Sequence, residues 1–162
     1  MDAYLDIETS HDRSIRVVGV YIPGLGTRQL VGGDISDVSV ARLLEPATRL
    51  YTFNGDRFDL PMIRRELRLD LRQMLPTHDL LYECRARSLY GGLKAVERRL
   101  GIGRTFPEVD GRMAMTLWWR YETLGEADAL TLLLAYNRED IENLEILRDR
   151  LAAYDRGELG HA

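Results

Sequence analysis

Asp6 and Glu8 stand two apart in Ala3-Tyr4-Leu5-Asp6-Ile7-Glu8-Thr9, a stretch otherwise made of good strand formers. In a strand, residues i and i+2 point to the same face, so both carboxylates project together from an otherwise apolar element. Two like charges on a strand entering a core repel each other and lose hydration. One resolution is a divalent cation, since hard oxygen ligands suit magnesium or manganese. The other is an exposed edge strand whose acids face water. The dipeptide pattern alone leaves both open.

The length of 162 residues suits one domain with a substantial core, expected over residues 1–154 and followed by a short C-terminal tail, 155–162. A chain 45% apolar and 30% charged is ordinary for a soluble globular protein. No apolar run approaches the ~18 residues of a membrane span, and Met1-Asp2 opens no signal peptide. Cys84, the single cysteine, has no internal disulfide partner and reads as a small buried apolar residue. A reducing, cytoplasmic setting is therefore expected, with no membrane and no obligate protein partner. The net charge of −4 argues against a broad basic surface. It leaves nucleic acid open, because a carboxylate cluster filled with metal inverts its local potential. Lys94 is the only lysine among the 22 basic residues, an excess of arginine that reads mainly as compositional bias, although arginine makes bidentate phosphate contacts that lysine cannot.

Ile15 to Ile22 reads as a second strand, Pro23 to Gly26 as a hairpin turn, and Thr27 to Val31 as the returning strand. Ser36 or Asp37 can cap a short helix carrying Val40, Leu43 and Leu44 that ends near Pro46. Arg49 to Phe53 is a fourth strand. A meander, a helix and a strand returning to the sheet define an α/β layered domain.

Asn54-Gly55-Asp56-Arg57-Phe58-Asp59-Leu60-Pro61 follows that strand directly, with a turn signal and then a helix start. Asp59 reads as an N-cap, as an acid placed where α/β folds carry chemistry, or as both. His78-Asp79-Leu80-Leu81 is expected to begin a helix through Arg87, with Asp79 as cap and His78 structural or exposed. Gly91-Gly92 breaks the chain, and Leu93, Val96, Leu100 and Ile102 mark an amphipathic helix closed by Gly101. Asp110 caps a further helix, in which Trp118 and Trp119 read as core and flank. Ala129 to Tyr154 is helix-prone, with a break expected near Asn137. Tyr136 and Asp140, four apart, share one helical face, and Leu144, Leu147 and Leu151 form the core stripe.

Three motifs in order carry more than any one of them. D-x-E on the first strand, N-x-x-x-F-D after the fourth and Y-x-x-x-D on the final helix resemble the DEDD (DnaQ-like) superfamily of 3′–5′ exonucleases. The segment from Asn54 to Pro61 is similar to the proofreading domains of family B DNA polymerases. Across residues 3 to about 147 the chain most resembles the bacterial YprB-type exonucleases, a likeness that includes Thr77 to Leu81 and Leu93 to Ile102. Ala135 stands where the histidine branch of the superfamily carries histidine. Tyr136 matches the tyrosine branch, DEDDy, and none of the four expected carboxylates is missing.

The resemblance implies a ribonuclease H-like fold, a mixed central sheet flanked by helices. It also implies hydrolysis of phosphodiester bonds at single-stranded 3′ ends, DNA favoured and RNA admitted, with two divalent ions, Mg2+ or Mn2+. A phosphodiesterase needs an in-line water, neutralised phosphate charge and a stabilised leaving alkoxide, which two ions ~3.5–4 Å apart supply. By resemblance, Asp6, Glu8 and Asp140 hold the ion that activates water, and Asp6 bridges to a second ion that Asp59 reaches. Tyr136 orients the water, since a phenol of ordinary pKa ~10 is a poor general base at neutral pH. Asn54 and Phe58 bound the terminal nucleotide, and Thr9 lies against the chain end. Lys94 reads either as a phosphate contact or as a solvated surface residue. A nucleic-acid-binding module that does not cut, and an endonuclease of the ribonuclease H-like fold, are the rival readings.

Overall fold

The first strand, β1 (Asp2–Thr9), divides the molecule between its two faces. Ala3, Leu5 and Ile7 point into one apolar layer, while Tyr4 packs in the opposite layer, on the side of Asp6 and Glu8. β1 pairs antiparallel with β2 (Ile15–Ile22), which pairs antiparallel with β3 (Gly26–Val31). On its other side β1 pairs parallel with β4 (Arg49–Thr52), and β4 with β5 (Thr77–Asp79). Among the residues that this computed structural model describes, 1–159, the sheet has five strands in the order β3-β2-β1-β4-β5. The mixed central sheet flanked by helices that the resemblance implies is the one observed.

Three helices cover the Leu5 face: α1 (Asp37–Leu44), α2 (Asp59–Leu67) and the single turn α3 (Leu71–Met74). Ser36 closes the start of α1 with a reciprocal capping box to Ser39, which satisfies two otherwise unpaired backbone donors. The opposite face carries α4 (Leu80–Ala86), α5 (Leu93–Arg99), α6 (Gly111–Leu124) and α7 (Ala127–Asp155). Ile141, Leu144, Leu147 and Leu151 of α7 pack against Tyr4 and Tyr51, and Leu133 and Tyr136 pack with Leu117 and Trp118 of α6. Trp118 is buried and Trp119 exposed, the division expected of that pair, and Cys84 is fully buried. None of the described helices is long and apolar enough to cross a membrane.

The structure departs from the sequence reading in four places. Thr77 to Asp79 forms the fifth strand, so the helix expected from His78 starts only at Leu80. Asp79 does cap it, accepting from the Leu81 N–H at 3.0 Å. His78 is exposed and stacks on Tyr51. The single turn α3, capped by Asp70, adds a helix to those the sequence pattern predicts. Helix α7 runs unbroken for 29 residues through Asn137, whose buried amide finds partners on the sheet and so does not compete with the helix backbone. Finally, Asp59 is the first residue of α2 and not its cap. Phe58 is the N-cap and caps nothing with its side chain, while the Asp59 carboxylate accepts from the Ile7 N–H at 3.0 Å. Of the expected tail, residues 160–162 lie outside the described residues, and α7 reaches Asp155.

Candidate active site

Register and helix periodicity together assemble the acids. Asp6 and Glu8 project from β1 opposite Gly19 and Val17 of β2, where α7 lies across the sheet. The approach is close: a Cβ on Gly19 would fall 2.1 Å from the Asn137 side-chain oxygen, so only glycine fits there. One helical turn separates Tyr136 from Asp140, which brings both to the same end of β1. Carboxylate oxygens of Asp6, Glu8 and Asp140 lie within 4.8 Å of one another. Glu8 and Asp140 are 7% and 8% exposed, so the strand is no water-facing edge with solvated acids. The cluster forms the floor of an open cleft of about 550 Å³ lined by Thr9, Arg13, Phe58, Gly111, Met115 and Tyr136.

Asp59 enters from the N-terminus of α2, where the helix dipole favours a carboxylate. It is 2% exposed and stands outside the three-acid group, though its charge acts on Asp6. The loop before it is fixed by Asp79, whose carboxylate accepts from the backbone N–H groups of Asn54 (2.7 Å) and Asp56 (3.1 Å). Asn54 adopts φ +61°, a left-handed conformation that asparagine tolerates. Gly55 passes so close to Thr52 that a Cβ would lie 2.2 Å from its hydroxyl. This clamp brings Phe58, 42% exposed, to the cleft wall. The Asn54 side chain is exposed and is not part of the lining.

The electrostatics are those of acids crowded without enough counter-charge. Burial, then the neighbouring acids, hold the carboxyls of Asp6 and Glu8 well above the usual range. Burial raises Asp59 to about 7 against the opposing effect of its backbone hydrogen bonds. Burial also raises Asp140, to about 6, against the pull of Arg104. The Tyr136 phenol is pushed up by burial first and Asp140 second, so it stays protonated and serves as a donor. The donor set is all hard oxygen, and a divalent cation would relieve its mutual repulsion. Asp6, Glu8 and Asp140 fit such an ion.

Several residues at the site are absent from the motifs. Arg104, its side chain 5% exposed, sets Nη1 2.6 Å from Asp140 Oδ1. Its Nη2 donates to Glu97 Oε1 at 3.0 Å and its Nε to Glu97 Oε2. Asn143 donates to the same Glu97 Oε1 at 3.1 Å. Lys94, half-buried, donates to the Pro107 carbonyl at 3.0 Å, with its ammonium 5.5 Å from the Tyr136 ring centre. Of these, Glu97 carried a signal: it is an acid one position after Val96 on the buried side of α5, and at 1% exposure it requires a cation. Arg13 and Met115 line the cleft with no mark in the sequence pattern.

An open mixed sheet with an acid cluster on its central strand defines a class that sequence comparison identifies directly. Residues 3–152 match the family model described as the RNase_H superfamily, and the chain belongs to that family. Among solved structures it is similar to one titled "apo form of the nuclease", at 21% identity and a TM-score of 0.61. The match covers 94% of this chain and 72% of that one. At this identity the likeness is one of fold. No curated protein matches the sequence.

Proposed function

We propose that the protein is a metal-dependent 3′–5′ exonuclease acting on single-stranded nucleic acid ends, of the DEDDy kind and similar to the YprB-type enzymes. The observation that carries this reading is the meeting of Asp6, Glu8 and Asp140 within 4.8 Å on the floor of an open cleft, with Tyr136 on its wall. Asp6, Glu8 and Asp140 would hold one divalent ion, Mg2+ or Mn2+, and Asp6 with Asp59 a second. When bound, such ions supply an activated water and neutralise phosphate charge.

The chain's own residues account for the rest. Tyr136, one helical turn from Asp140 and held protonated by burial, offers its hydroxyl to orient a water beside the scissile phosphate. Phe58 presents an exposed ring at the cleft wall on which a terminal base or sugar can pack, a contact indifferent to sequence. Thr9 lies in the lining next to the acids, within reach of a chain end, and Arg13 offers a guanidinium to phosphate. Asn54, at the start of the loop that Asp79 clamps, would close over the terminal nucleotide from outside the present lining. DNA is the favoured substrate and RNA a second one.

End-labelled oligonucleotides incubated with Mn2+ test the reading. A ladder that shortens from the 3′ end is expected. Internal cuts would point to an endonuclease on this fold, and binding without cutting to a nucleic-acid-binding module.

A further inference from the structure

Asn137 lies fully buried between α7 and the sheet, and its single amide nitrogen faces both strand acids. Nδ2 donates to Asp6 Oδ2 at 3.2 Å, to the Asp6 carbonyl at 3.3 Å, and to Glu8 Oε1 at 3.5 Å. On its other side Oδ1 accepts from Gln29 Nε2 of β3 at 2.9 Å, and the same Nε2 donates to the Leu134 carbonyl at 2.8 Å. Backbone carbonyls only accept, so the polarity of this chain of amides is fixed at both ends. Leu134 requires Gln29 to present its NH2, Gln29 then requires Asn137 to present its oxygen, and the Asn137 NH2 is left facing the acids. Gly19 leaves the space that Oδ1 occupies.

We propose that Asn137 is a positioning residue for the metal centre, and that Gln29, which touches none of the acids, sets its orientation. This rests on the reading of Asp6 and Glu8 as metal ligands. One NH2 group shared by two carboxylates ties their oxygens to a common point and stabilises their charged forms, so the ligands are arranged before an ion arrives. An amide turned the other way would direct an oxygen at two carboxylates and drive them apart.

Gln29→Glu tests the orientation with nearly the same side-chain shape. An ionised carboxylate cannot donate to Leu134 or to Asn137, so the Asn137 amide turns to donate to it and presents Oδ1 to Asp6 and Glu8. Mn2+ affinity, measured by titration calorimetry on the full chain, should fall by about 10–100-fold, the usual cost of losing a partner that orients a metal ligand. Asn137→Leu, which removes the donor outright, should lose at least as much, and it serves if Gln29→Glu does not fold. Val40→Ala, a cavity in the opposite layer, should lower the melting temperature while binding Mn2+ as the wild type does. Affinity within about threefold of wild type in folded Gln29→Glu, or in folded Asn137→Leu, would overturn the assignment. If the wild type itself binds no Mn2+, the acid cluster is not a metal site, and the failure lies with the function proposed for it.

Discussion

Arg104 Nη1 lies 2.6 Å from Asp140 Oδ1, while the rest of the guanidinium is held by the two oxygens of Glu97. One buried cation therefore faces a structural acid and a candidate metal ligand. Removing it strands two buried carboxylates, and breaking a buried pair costs about 3–5 kcal/mol. Arg104→Met should destabilise the metal-free protein by that order in urea unfolding. Glu97→Met placed in the same chain should recover part of the loss. Equal stability of Arg104→Met and wild type would show that the pair carries no weight.

The raised carboxyls give a pH dependence of definite sign. Asp59 titrates at about 7 and Asp140 at about 6 in the folded chain, while unfolded carboxyls titrate near ~4. The folded state thus holds protons that the unfolded state has released. That stabilisation is full below about pH 4 and is lost as pH rises to about 7. Divalent ions bind the deprotonated form, so their stabilising effect grows across the same window. In thermal melts the metal-free protein should be less stable at about pH 7.5 than at about pH 5, and millimolar Mg2+ should raise the melting temperature more at the higher pH. A rise in metal-free stability over that interval would contradict the electrostatic account.

Asp6→Asn removes one charge from the crowd and keeps the shape. Metal-free stability should hold or rise, because the carboxyl is raised by burial and by Glu8, Asp59 and Asp140. Cleavage should drop by about 10²-fold or more, in line with the loss of other preorganised electrostatic groups. Wild-type cleavage by this variant would exclude Asp6 as a ligand.

Tyr136→Phe takes away the hydroxyl and keeps the ring in its place among Leu133, Leu117 and Trp118. Loss of an orienting bond worth about 1.5–3 kcal/mol corresponds to roughly 10–150-fold in single-turnover rate. The metal concentration for half-maximal rate should stay within about threefold of wild type, whereas Asp140→Asn should disturb both. An unchanged rate would leave Tyr136 a packing residue.

The strongly patterned parts of the molecule were legible in the sequence. The alternation in β1, the hairpin of β2 and β3, the Ser36 and Asp110 caps and the leucine stripe of α7 all follow from local periodicity, and they fix the face that carries Asp6, Glu8, Tyr136 and Asp140. Polar residues are less legible, because their partners lie far away in the chain. Asp59 reads as a cap, as a catalytic acid or as both, and the cap alternative fails because its carboxylate serves the Ile7 N–H on a neighbouring strand. Asn137 looked like a break, but its amide is satisfied by residues more than a hundred positions away. β5 is three residues long, too short to show a period, and exists because β4 offers a parallel edge. Arg104 and Glu97 meet only when the loop after α5 folds back against α7, and no spacing rule encodes that contact.

Under the proposed function, the acid cluster cuts nucleic acid at a free 3′ end. The most direct test compares a linear single strand labelled at its 3′-terminal nucleotide with a circle of the same sequence, each in a single turnover with Mn2+. Labelled mononucleotide should leave the linear strand as the first product, the circle should stay intact, and neither should yield product once the metal is chelated. Linearisation of the circle, or full release of label in excess chelator, would contradict the proposed function.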